Sequence, residues 1–81
     1  MAALSIIMPY RNVADTLHEA VESILNQTFT DYELIAINDH SQDNSEAIMS
    51  SWYDVRFRLF NNPGKGLVDA LNYGLQQATT P

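Results

Sequence analysis

The feature that most constrains this chain is a run of four apolar residues, Leu34, Ile35, Ala36 and Ile37, that ends abruptly in Asn38, Asp39, His40, Ser41, Gln42 and Asp43. An alternating pattern would leave one face of a strand in water. An unbroken run needs cover on both faces, as in a parallel sheet sandwiched between helices. The polar residues after it are then displayed at the carboxyl end of a buried strand. In open α/β sheets ligands bind there, which makes Asn38, Asp39, His40, Ser41 and Asp43 the first candidates for chemistry.

The same pattern recurs on either side. Residues 4–8, opening on Leu4 and closing on Met8, form a second run that is apolar but for Ser5, and Pro9, which has no amide hydrogen, is expected to end that strand. Asn12 and Asp15 are candidate caps for a helix in which Leu17, Ala20, Val21, Ile24 and Leu25 make one apolar stripe. His18, Glu19, Glu22 and Ser23 fall on the other face, so His18 is expected in solvent rather than in catalysis. After the central loop, Asn44 or Ser45 can cap a short helix with Ala47, Ile48 and Trp52 as its apolar members, weakened by Ser50 and Ser51.

Residues 55–60 alternate, with Val55, Phe57 and Leu59 against Arg56, Arg58 and Phe60. That predicts an edge strand whose arginines discourage edge-to-edge pairing. Residues 61–66 (Asn-Asn-Pro-Gly-Lys-Gly) form a loop by composition, and a last helix carries Leu67, Ala70, Leu71, Gly74, Leu75 and Ala78 on its predicted packing face. Right-handed crossovers order the three parallel strands 3-2-1 in an α/β sheet. The first strand then lies at an open edge without a charge to protect it. A fourth strand, or a second copy in a homo-oligomer formed through residues 4–8, would cover it.

Eighty-one residues bound the chain to one small domain or part of a larger one. No apolar run approaches the roughly 20 residues that cross a bilayer, and no signal-peptide pattern opens the chain. The absence of cysteine excludes disulfides and thiolate metal sites. A formal charge of −6 argues against nucleic acid as a partner. Arg11 and Lys65 fall in loops that the topology brings to the same end of the sheet as the Asp39 turn. Residues 9–12, 38–43 and 61–66 thus form one candidate site, with an acidic turn, two cations and a helix amino terminus that favours anions. This suits a ligand with a hydrogen-bonding head and a phosphate tail. Gly64-Lys65-Gly66 alone is neither a dinucleotide fingerprint nor a P-loop.

Four stretches together resemble a known family almost end to end: Ser-Ile-Ile-Met-Pro-Tyr-Arg-Asn at 5–12, Ser-Ile-Leu-Asn-Gln-Thr-Phe at 23–29, Glu-Leu-Ile-Ala-Ile-Asn-Asp-His-Ser at 33–41, and Gly-Leu-Val-Asp-Ala-Leu-Asn-Tyr-Gly at 66–74. They are similar to the inverting nucleotide-diphospho-sugar glycosyltransferases of family 2, which have the GT-A fold. The resemblance implies a Rossmann-like three-layer β-α-β-α-β-α fragment, with residues 1–81 forming the nucleotide-binding amino-terminal portion, the first half, of a GT-A domain. It implies that Asp39 accepts a hydrogen bond from the uracil imide, which cytosine could not donate. Pro9, Tyr10 and Arg11 would line the base and ribose, and Lys65 and Gly66 would approach the nucleotide. The family turn usually has two aspartates and then glycine, where this chain has Asn38-Asp39-His40.

For the parent protein the resemblance implies inverting transfer from a UDP-sugar to the hydroxyl of an acceptor glycan or lipid-linked saccharide. The divalent metal (Mg or Mn) belongs to the full-length enzyme, with none bound by this chain alone. Its Asp-x-Asp ligands and the general base are expected beyond Pro81, so that the chain has no catalytic residues and is inactive by itself. The expected location is cytoplasmic, at the inner membrane face. An alternative is a nonenzymatic α/β module that associates through its first strand. An Asp-based signalling receiver is disfavoured, because Met8-Pro9-Tyr10-Arg11 stands where an acidic cluster would be needed.

Overall fold

The central apolar run becomes β2, Tyr32–Asn38, buried from end to end in the computed structural model, which describes residues 3–79. It lies between β1, Leu4–Tyr10, and β3, Phe57–Asn61, both parallel to it. The order β1-β2-β3 is the one the crossovers predict. Helices α1 (Ala14–Leu25) and α2 (Ser45–Ser50) pack on one face of the sheet, and α3 (Gly66–Gln77) packs on the other. Period-two alternation therefore splits β2 between two cores. Leu34 and Ala36 meet Leu17, Val21 and Met49, while Ile35 and Ile37 meet Ala70. The result is a three-layer α/β unit, β-α-β-α-β-α in chain order.

Several local expectations are corrected. Pro9 does not end β1, which continues through it to Tyr10. The Tyr10 carbonyl accepts the Asp39 N–H at 2.8 Å, so the neighbouring Pro9 turns its nitrogen to the open edge and no ladder bond is lost. Residue 55 does not begin β3, because the Asp54 turn takes the backbone N–H groups of Arg56 and Phe57, and Val55 stands fully exposed. Arg56 forks onto the Asp54 carboxylate at 2.7 Å, and Arg58 turns to Glu33 at 3.0 Å; both guanidiniums are thus engaged within the fold. In α2 the fully buried apolar residue is Met49, while Ile48 and Trp52 are half-buried and Ala47 is exposed. His18 is exposed as expected, with Glu22 at 3.6 Å.

The packing face of α3 is also rotated from the predicted one. Ala70 and Gly74 are buried with Tyr73 beside them, whereas Leu67, Leu71 and Leu75 are exposed. Small residues let the helix backbone approach the sheet, and that close approach outweighs the burial of larger leucines to one side. A Cβ at Gly74 would lie 2.5 Å from Ile7 Cγ2 and 2.7 Å from Ile37 Cδ1. Gly74→Ala gains up to ~1 kcal/mol in helix propensity but overpacks the contact at ~1–3 kcal/mol, for an expected net loss of about 1 kcal/mol. A lower urea midpoint at unchanged slope would show it; a raised midpoint would mean that the two isoleucines move aside freely.

At the amino end of β2, Glu33 ties three elements together. It accepts from Ser5 Oγ at 2.6 Å, from Arg58 Nη1 at 3.0 Å, and from Thr79 N and Oγ1 at 2.8 and 2.9 Å. Arg58 also donates to the Gln77 carbonyl at 2.6 Å, near the end of α3.

Candidate functional site

Parallel strands deliver their trailing loops to one end of the sheet, and the backbone ladder runs one step past the strands to hold them. The Asp39 N–H donates to the Tyr10 carbonyl, and the Asn62 N–H donates to the Asn38 carbonyl at 2.9 Å. The first two loops are then stitched side chain to backbone. Asn12, at φ 51°, accepts from the Gln42 N–H on Oδ1 at 2.7 Å and donates its own N–H to Ser41 Oγ at 3.0 Å.

The caps expected from Asn12 and Asp15 are absent, and distant residues supply them. Val13 N donates to Ser45 Oγ at 2.9 Å, and Ala14 N donates to Asp43 Oδ2 at 3.1 Å. These bonds satisfy amides that the first turn of α1 leaves without helical partners. The hydroxyl and amide of Ser45, with the Ala14 amide, hold the Asp43 carboxyl below its usual range. Asp43 is thereby committed to the scaffold.

Asn38 is committed too. Its Oδ1 accepts from the Ser41 N–H at 3.0 Å, and its Nδ2 donates to Glu46 Oε2 at 3.1 Å. A carboxylate at position 38 could not donate to Glu46 and would repel it, which accounts for the amide here. Tyr10 lies on the same face, its ring in the α1/α2 core, where burial and the Glu46 charge push its phenol up to about 12.

Asp39 faces the α3 side and is the residue of the turn left to a ligand. A cavity of about 470 Å3 is lined by Arg11, Asp39, His40, Gly64, Lys65 and Gly66. A smaller one of about 150 Å3 is lined by Pro9, Tyr10, Arg11, Asp39 and Leu67. Between them these cavities are lined by all six of the expected residues, Pro9, Tyr10, Arg11, Asp39, Lys65 and Gly66, although the Tyr10 ring itself lies in the core on the opposite face. His40 and Gly64 join them as wall, bridged by the 2.8 Å hydrogen bond that His40 Nε2 donates to the Gly64 carbonyl. His40 holds φ 58°, and Gly66 holds φ 88°, where a side chain would be strained.

Asp39 Oδ1 accepts from Asn62 Nδ2 at 3.0 Å and from the Gly66 N–H at 3.1 Å. No described residue bonds to Oδ2. The Asn62 amide, opposed by burial and aided by the Gly66 amide and by the His40 and Arg11 charges, holds the Asp39 carboxyl below its usual range. Asp39 is therefore ionised at neutral pH and has a free acceptor oxygen. Asn62, only 2% exposed, escaped the sequence. The register reveals it: Tyr10, Asn38 and Asn61 are partners across the sheet, so the next step aligns Arg11, Asp39 and Asn62.

Among the described residues, no group of three or more His, Cys, Asp or Glu side chains converges to hold a metal. This segment by itself does not fit a divalent cation. Nor is any helix among the described residues long and apolar enough to cross a membrane.

The model of one family, described as Glycosyl transferase family 2, matches residues 5–81. The chain belongs to that family. A relative from Rickettsia bellii, an uncharacterized glycosyltransferase, is 41% identical over 75 residues, covering 90% of this chain and 11% of its own length. A UDP-Glc:α-D-GlcNAc-diphosphoundecaprenol β-1,3-glucosyltransferase of Escherichia coli is 35% identical over 77 residues, 94% of this chain and 30% of its own. The fold matches that of a Pyrobaculum calidifontis mannosyltransferase solved in complex with GDP-Man and Mn2+, with a TM-score of 0.85, 24% identity, and coverage of 95% of this chain and 24% of that one. The family 2 chain thus spans less than a third of each of these relatives.

Proposed function

We propose that the full-length protein transfers a sugar from a UDP-sugar to an acceptor hydroxyl with inversion, and that these residues form its nucleotide site. The observation that carries this is the free Oδ2 of an ionised Asp39 at the wall of a cavity that also holds Arg11 and Lys65. A carboxylate acceptor suits the uracil N3–H, and the two cations with the amino terminus of α3 suit the diphosphate. The name of the E. coli relative, which includes UDP-Glc, agrees with a uridine donor. The acceptor is a glycan or a lipid-linked saccharide, and the reaction runs on the cytoplasmic side.

Divalent metal, Mg or Mn, and a general base belong in this proposal to other parts of the full-length protein, and the chain alone is inactive. Its open β1 edge receives a further strand or a second copy. Calorimetric titration with UDP, UMP and CMP, with and without manganese, tests the site. Uridine nucleotides are expected to bind in preference to CMP. Equal binding of CMP would remove the Asp39 contact, and a full-length protein with neither UDP affinity nor UDP-sugar turnover would overturn the function. Tight self-association without nucleotide binding would favour the interaction module.

A further inference from the structure

Asn62 has no place in the nucleotide contacts above, yet it is almost wholly buried and uses each polar group of its side chain. Its Oδ1 accepts from the Gly64 N–H at 3.0 Å, while Nδ2 donates both to Asp39 Oδ1 and to the Gly66 carbonyl at 3.2 Å. These partners fix the amide's orientation, since the Gly64 N–H needs an acceptor and the carboxylate needs a donor. The Asp39 carboxylate is locked in turn. One oxygen is spent on Asn62 and Gly66, and the other has no hydrogen-bond partner among the described residues, in a side chain that lines the cavity.

We infer that Asn62 is a positioning residue that sets which nucleobase the site accepts, an inference that rests on the nucleotide site proposed above. Uracil presents a single N3–H flanked by two carbonyl acceptors. A lone carboxylate oxygen matches that edge, and a second exposed oxygen would face a carbonyl and repel it. Guanine presents two adjacent donors, N1–H and N2–H, which a carboxylate pairs best with both oxygens. By holding Oδ1 back, Asn62 leaves the geometry that uracil needs and withholds the fork that guanine needs.

The test is calorimetric titration of the full protein with UDP and GDP, in wild type, Asn62→Ala and the isosteric Asn62→Asp. Wild type is expected to favour UDP by about tenfold or more. Asn62→Ala should lose about tenfold in UDP affinity, because Asp39 is then aimed less firmly, and should narrow the preference over GDP. Asn62→Asp places a second carboxylate against Oδ1. Its UDP affinity relative to wild type should be weak at pH 8 and recover toward pH 5, as one shared proton restores the donor. A structural role alone would move neither the UDP/GDP ratio nor this pH profile. A wild type that binds GDP as well as UDP, or variants that keep the wild-type preference at every pH, would overturn the inference and leave the nucleotide site standing. Failure of every nucleotide to bind wild type would overturn both. If Asn62→Ala does not fold, the pH series on Asn62→Asp decides alone.

Discussion

Asp39→Asn is expected to lower UDP affinity by about two orders of magnitude, the equivalent of roughly 2–3 kcal/mol for a charge-assisted hydrogen bond. The substituted amide keeps the shape of the carboxylate but has one acceptor oxygen in place of two. That oxygen can face Asn62 and Gly66, which now hold Oδ1 at 3.0 and 3.1 Å, or it can face the ligand. In the first case an NH2 group meets the uracil N3–H, donor against donor; in the second, two donors behind it lose their partner. CMP should not share the loss, because cytosine N3 is an acceptor that opposes a carboxylate at position 39 and can take a hydrogen bond from an amide NH2 there. Protonation should act as the substitution does. The Asp39 carboxyl is held below its ordinary range, so its acceptor form persists from neutral pH down through that range and is lost only as pH falls through the depressed value. Flat UDP affinity from pH 8 to 5 in wild type, after correction for phosphate titration, is the matching outcome. An Asp39→Asn protein that binds UDP as wild type does would remove this residue from base recognition.

Asp39 was legible from sequence because its position derives from one strong signal. Four apolar residues specify a strand covered on both faces, and whatever comes next in the chain must emerge at its carboxyl end. Strand order came from the handedness of crossovers, which does not depend on side-chain detail. The hidden features depended on register or on contacts far apart in sequence. Asn62 matters only because it stands beside Asp39 across 23 residues of chain. The α1 cap comes from Ser45 and Asp43, about 30 positions away, whereas a local scan finds only Asn12 and Asp15. Pro9 misled because the rule against proline in strands is really a rule about which side its nitrogen faces. The leucines of α3 misled because an apolar stripe does not say which part of it touches the sheet; the small residues at 70, 74 and 78 were legible as allowing close approach, and Ala70 and Gly74 decided the packing.

The same strand carries a second carboxylate on the α3 face, and the contrast between the two gives the larger effect on stability. Glu33 lies six residues before Asp39, roughly 20 Å along β2. Burial alone would push its carboxyl up, but Ser5, Thr79 and Arg58 together outweigh it and hold the group at about 2, against 4.5 for the free side chain. A folded value below the unfolded one means stabilisation that is complete above about pH 4.5 and lost as pH falls toward 2. A shift of this size converts to roughly 3 kcal/mol, which we reduce to about 2 kcal/mol because the Arg58 side chain is 34% exposed and its charge is screened. Glu33→Gln should therefore lower stability by about 2 kcal/mol from pH 7 to 5, with the gap from wild type closing between pH 4.5 and 2 as wild-type Glu33 is neutralised. Urea midpoints across that range measure it; a gap that stays constant into acid would mean that shape rather than charge holds the knot. Because every Glu33 contact lies at the amino end of the sheet, UDP affinity of the folded variant should match wild type. Asp39→Asn should do the reverse, losing the ligand with the smaller loss of stability, since one of its oxygens was never committed to the fold.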